Sequence, residues 1–128
     1  MGEPLPEESE LRGLVHAFYD RVRADATLGP VFNGAVDDWP EHLERLTDFW
    51  CSVVLGAGRY KGNPLAVHLR HLDQITPEHF TRWLELWRET THDLLAPETA
   101  LALQTRADRI GRSLQLGMFY RPGEPEIV

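Results

Sequence analysis

Trp39-Pro-Glu-His42-Leu-Glu-Arg-Leu46-Thr-Asp-Phe49-Trp50-Cys-Ser-Val53 is the stretch whose reading decides the fold. His42, Leu46, Phe49 and Val53 stand at i, i+4, i+7 and i+11, a spacing that brings side chains onto one face of an α-helix. Asp37 and Asp38 precede Pro40 as a helix start should, and Gly56 is placed to end the helix after Val54 or Leu55. One imidazole is therefore set among apolar residues on a helix face.

A second imidazole follows in Pro64-Leu-Ala-Val-His68. A helix from His42 to Leu55 travels roughly 20 Å at ~1.5 Å per residue, and the loop from Gly56 to Asn63 reaches at most about 28 Å when extended. The chain can thus fold back and set His68 across a pocket from His42. The three glycines of that loop predict a flexible connection, and Pro64 opens a short helix with Leu65, His68 and Leu72 on one side. His71 shares much of that face and is a rival for any role of His68.

Upstream, Leu11, Leu14, Val15, Phe18 and Val22 trace one stripe of a helix from about Pro6 to Ala24, with Tyr19 beside the stripe. Leu28-Gly29-Pro30 turns the chain. Downstream, Thr76-Pro77-Glu78 starts a helix to about Leu95 with Phe80, Trp83, Leu84 and Trp87 on its buried side. Pro97 begins another through Leu103, Ala107, Ile110, Leu114 and Met118. The expected product is an all-α single domain over residues 1–128, with four long or medium helices, one short one, and flexible ends at about 1–8 and 121–128.

Composition narrows the function. The formal charge is −7 and Lys and Arg are scattered, so the footprint of nucleic-acid binding is missing. No run approaches the ~18 apolar residues of a membrane span, and the acidic start has no apolar leader segment, which leaves a cytoplasmic location as the expectation. Cys51 is the one cysteine and reads as packed. Hydrolysis finds no support, since Ser52 and Ser113 lack a glycine-framed turn and Cys51 lacks an activating neighbour. Zinc would need more than His68-Leu-Arg-His71, for no third ligand stands nearby.

Two imidazoles on facing helices and one phenol form the set of side chains an iron porphyrin needs, one face for ligation and one for hydrogen bonding. Taken singly, each residue has a plainer reading: His68 as a hydrogen-bonded core histidine, His42 as a partner of Glu41 or Arg45, Tyr19 as a buried ring. A haem-free helical module whose aromatic groove takes a partner helix is the alternative.

Phe18-Tyr19-Asp-Arg-Val-Arg, Leu28-Gly-Pro-Val-Phe32, Trp39-Pro-Glu-His42, Asp48-Phe49-Trp50, Tyr60-Lys-Gly-Asn-Pro64, His68 and Trp83-Leu-Glu-Leu together resemble the truncated haemoglobins, group III, from about Leu11 to Tyr120. The resemblance implies a shortened globin sandwich around haem b. It implies His68 as the proximal iron ligand, Tyr19 and Trp83 as distal polar residues and His42 as a distal gate. Phe18, Phe32, Leu46, Phe49 and Trp50 would wall the pocket. Arg59, Lys61 and Arg70 are candidate partners for the haem propionates. The function implied is reversible binding of O2, with CO and NO as further ligands, in a monomer or weak dimer. NO detoxification or peroxide reduction would need electrons from a separate reductase.

Overall fold

The structure, a computed structural model, describes residues 5–119; of the loose ends expected at about 1–8 and 121–128, residues 1–4 and 121–128 lie outside them, while Glu8 already belongs to a helix. Six helices follow one another: α1 (Glu8–Ala24), α2 (Gly29–Ala35), α3 (Trp39–Leu55), α4 (Pro64–Leu69), α5 (Pro77–Leu94) and α6 (Pro97–Phe119). No strand occurs among the described residues.

Side chains set the helix starts. Glu7 and Glu10 form a capping box at α1, Asp38 Oδ1 accepts the Glu41 N–H at 3.1 Å, and Asn63 Oδ1 accepts the Ala66 N–H at 3.1 Å. At α5 the Thr76 N–H donates to His79 Nδ1 at 2.9 Å, so His79 closes the cap of the helix that carries Trp83.

The α1 stripe is buried as expected: Leu11, Leu14, Val15, Phe18 and Val22, together with Tyr19. Each fully buried large apolar side chain contributes roughly 1.5–3 kcal/mol, and those of α1 face α3 and α5, against which the helix packs. Helix α3 shows two stripes. Thr47, Trp50, Cys51 and Val54 are buried, whereas His42, Leu46 and Phe49, turned round the helix from them, are half-buried and Val53 is exposed.

The sequence reading made a turn of Leu28-Gly29-Pro30, and the structure starts α2 there. Its glycines give a seven-residue helix little propensity of its own, so tertiary contacts hold it. Asp25 Oδ2 accepts the Thr27 and Leu28 N–H groups at 3.0 Å each, and a Cβ on Gly29 would stand 2.7 Å from the Arg23 carbonyl oxygen. Two further expectations are corrected. Helix α4 ends at Leu69, which leaves Leu72 past its end, and the glycine loop is tied down: the Tyr60 N–H donates to Ser52 Oγ at 3.0 Å, while Arg59 pairs with Glu8 at 2.7 Å.

Helix α5 packs on α6, and α4 leans on α6 without burying any residue fully. The approach of α4 is close. A Cβ on Gly117 would meet the Leu65 methyl carbons at 2.8 and 2.9 Å. No described helix is long and apolar enough to cross a membrane.

Candidate functional site

Tyr19 collects the site around itself. Its ring is 3% exposed and lies 4.8 Å from Phe18, 5.9 Å from Phe32, 6.3 Å from Trp39 and 6.5 Å from His42, centroid to centroid. Helices α1, α2 and α3 therefore converge on one phenol, and α5 adds Trp83, whose indole N–H is a hydrogen-bond partner of the Tyr19 oxygen. Burial drives the Tyr19 pKa far above its ordinary value and outweighs the opposing effect of Trp83, so the phenol stays neutral. Having accepted from Trp83, the hydroxyl keeps its own proton to donate.

His42 is half-buried and stands edge-on to Trp39 at 5.6 Å. Burial lowers its pKa, and the nearby Arg45 charge lowers it further, so the imidazole is neutral near pH 7. Arg23 lies over the outer face of Trp39, 4.5 Å from the ring centroid.

His68 stands apart from this cluster, on α4. Its Nδ1 is 2.6 Å from the Pro64 carbonyl oxygen, one turn back. A carbonyl only accepts, so Nδ1 carries a proton, and in the neutral ring the lone pair then lies on Nε2; this is the tautomer of a metal-ligating histidine with its second nitrogen fixed by the backbone. The His68 ring lies 6.1 Å from Phe80 at an interplanar angle of 30°. Phe80 precedes Trp83 by three residues, about 4.5 Å along α5, so this helix touches the histidine of α4 at one turn and the Tyr19 cluster at the next. His71, the rival, falls in the turn after α4.

Phe32, Leu46, Phe49 and Trp83 are partly buried against the core. Trp50 is 1% exposed and stacks on Trp87 at 4.3 Å. Its Nε1 is buried with no partner among the described residues. An unpaired buried donor costs roughly 1–3 kcal/mol, so a polar acceptor on a bound group would be stabilising there. The free Nε2 of His68, the donor pair of Tyr19 and Trp83 and the half-buried apolar stripe of α3 fit a flat metal-bearing group. Among the described residues no cluster of three His, Cys, Asp or Glu side chains is arranged to hold a bare metal ion.

Sequence reasoning overlooked Trp39, Tyr60 and Phe80 as neighbours of the site. Trp39 lies three residues before His42, and Phe80 three before Trp83, so helical spacing held both signals. Tyr60 packs on Phe49 at 5.2 Å from within the loop, where no periodicity marks it. Arg59, a candidate for a bound carboxylate, is engaged instead with Glu8 and, at 3.8 Å, with Asp48.

An all-helical chain with a backbone-locked histidine on one short helix and a tyrosine, tryptophan and second histidine on its neighbours has the makings of a globin. The family model for bacterial-like globins matches residues 4–109. The chain is 35% identical over 125 residues to the group 3 truncated hemoglobin ctb of Campylobacter jejuni, covering 94% of this chain and 96% of that protein. The crystal structure of the group III truncated hemoglobin from Campylobacter jejuni superposes with a TM-score of 0.82 at 32% identity, over 97% of this chain and 100% of that one. The structure of Chlamydomonas reinhardtii THB1 gives 0.65 at 27% identity, over 88% and 90%. The chain belongs to the bacterial-like globins, and within them to the group III truncated haemoglobins. Membership of the globin family implies a haem cofactor.

Proposed function

We propose that this chain holds haem b through His68 and binds O2 reversibly, with CO and NO as further ligands, under the control of Tyr19, Trp83 and His42. The haem would supply a ferrous iron able to bind a diatomic gas. His68 Nε2 would hold it, with the Pro64 carbonyl fixing the ring. Tyr19, its oxygen occupied by Trp83, donates its proton toward the ligand. Neutral His42 closes the outer side beside Trp39, and Phe18, Phe32, Leu46, Phe49 and Trp50 exclude water. NO oxidation or peroxide reduction is the chemistry such a donor pair favours, with electrons from a separate reductase. A monomer or weak dimer in the cytoplasm suits the reading, with Lys61 and Arg70, both exposed, as remaining propionate partners.

The single observation that carries this reading is the contact from His68 Nδ1 to the Pro64 carbonyl, which leaves one nitrogen prepared for a metal. Absorption spectra of the chain purified with adequate haem supply test it. An intense Soret band is expected, and His68→Gly should abolish the five-coordinate ferrous and CO spectra until free imidazole restores them. A colourless chain that refuses hemin would instead favour the helical interaction module, and a His68→Gly variant with unaltered CO binding would remove His68 from its role.

A further inference from the structure

We propose that the face shared by α4 and the C-terminal half of α6 docks an acidic one-electron carrier protein, which delivers its electron to the haem iron from the His68 side. The proposal rests on the haem reading above and adds to it the kind of partner and the place where it lands. The chain carries 20 acids against 13 Lys and Arg, yet residues 49–72 and 109–119 contain no Asp or Glu. The structure brings these stretches together, since α4 of the first packs on α6 of the second with Leu65 against Gly117. Ion pairs sharpen the contrast. Arg12, Arg21, Arg45, Arg59, Arg82 and Arg88 each face a carboxylate. Lys61, Arg70, Arg109 and Arg112 are exposed and make no ion pair among the described residues, and all four lie in the acid-free stretches. Asp73 and Asp108 bound those stretches, and Asp108 is drawn toward Arg88 at 3.5 Å.

Apolar side chains stand among these cations. Val67 and Leu69, the neighbours of His68 in sequence, are each 44% exposed, and Leu116 is 51% exposed. At about 100° per residue, Arg109, Arg112 and Leu116 fall within about 60° of one another on α6, on the flank next to Gly117. Exposed apolar groups set among unpaired cations suit a brief encounter between redox proteins, which buries little area and is oriented by charge. On a molecule of formal charge −7 a basic face also selects the orientation, because an acidic partner is repelled by the remaining surface. A second copy of this chain fits poorly there: a two-fold dimer would set the same cations against each other. A carrier seated on α4 lies beside the helix that bears the proposed iron ligand. One electron then leaves the reduced carrier, which is oxidised by one electron, and ferric iron becomes ferrous; no atom or proton is transferred.

Lys61 and Arg70 are also propionate candidates, so Arg109 and Arg112 carry the test. The donor is an acidic plant-type [2Fe–2S] ferredoxin, photoreduced by a laser flash in the presence of the ferric haem-loaded protein. At low ionic strength Arg109→Glu/Arg112→Glu should slow reduction about tenfold, with CO binding unchanged. Arg12→Glu/Arg21→Glu, which changes the net charge equally, should stay near the wild-type rate. The difference should vanish at about 0.5 M salt, where screening is short-ranged. Titration of the 15N-labelled, CO-bound protein with redox-inert gallium-substituted ferredoxin should shift amides of α4 and of residues 109–117. Equal slowing by the two double variants, an unchanged rate in Arg109→Glu/Arg112→Glu, or shifts centred on α2 and the start of α3 overturns the proposal. So does a dimer that Leu116→Glu dissolves, or a face that takes vesicles of anionic phospholipid and leaves the ferredoxin unbound. Absence of a Soret band sinks the haem reading instead. The docking face is then tested by the same gallium-ferredoxin titration on the chain as purified, with the same amide shifts expected and their absence overturning it.

Discussion

At the scale of single residues, protons decide the site. Tyr19 is held neutral by burial and offers one O–H, so Tyr19→Phe removes one hydrogen bond worth roughly 0.5–1.5 kcal/mol. Dissociation of O2 measured by stopped flow should then quicken by about two- to twelvefold; an unchanged rate would deny the donor role. His42 works in the opposite sense to a surface histidine. Burial first, and Arg45 second, depress its folded pKa, so the unfolded chain binds this proton more readily and stability is lost as pH falls below about 6.5. Urea unfolding of His42→Gln between pH 7 and 5 should show a shallower decline than the wild type. The helices that carry Tyr19, His42 and His68 were legible in the sequence, because apolar stripes mark them. The partners that tune them were not: Pro64 as a carbonyl acceptor and Phe80 as a ring neighbour depend on backbone direction and on the meeting of distant helices.

Among elements, the corner between α1 and α2 is the one that sequence reading compressed into a turn. Its helical propensity is poor, and Asp25 replaces propensity with contacts. That side chain is 9% exposed, accepts two backbone N–H groups, and receives Arg82 Nε and Nη2 at 2.9 Å each. Desolvation raises the Asp25 pKa, but Arg82 and the Leu28 and Thr27 N–H groups outweigh it and leave the carboxyl below its ordinary value. A depressed carboxylate stabilises the fold above its unfolded pKa and loses that contribution as pH falls below about 4. Asp25→Asn keeps an acceptor for the backbone and loses the ion pair. It should cost about 1–2 kcal/mol at pH 7 and progressively less as pH falls below about 4, as read by urea unfolding across that range. Because Arg82 adjoins Trp83, the same variant should also disturb O2 release. Helices α1, α3, α5 and α6 were plain from periodicity; α4 was found but drawn too long, since three residues past its end continue an apolar spacing without continuing the helix.

For the whole molecule, the long helices form the core while α4, bearing His68, buries none of its own residues and rests on α6 across Gly117. Gly117→Val should push Leu65 away and reorient α4. Global stability should fall by about 1–3 kcal/mol, and hemin transfer to an acceptor apoprotein should accelerate; an unaltered transfer rate would show that α4 is positioned by other contacts. Such long-range closeness is invisible in a linear pattern, where Gly117 is one more small residue in a helix. The strap before α4 extends the point. Arg59 joins the loop to Glu8 on α1 and Asp48 on α3 through exposed ion pairs, and dissolved salt competes with contacts of that kind within a Debye length of about 8 Å at physiological strength. Ionic strength thus becomes a dial on this globin: concentrated electrolyte slackens the tether and lets the histidine-bearing segment swing, with no change to Tyr19, Trp83 or His42.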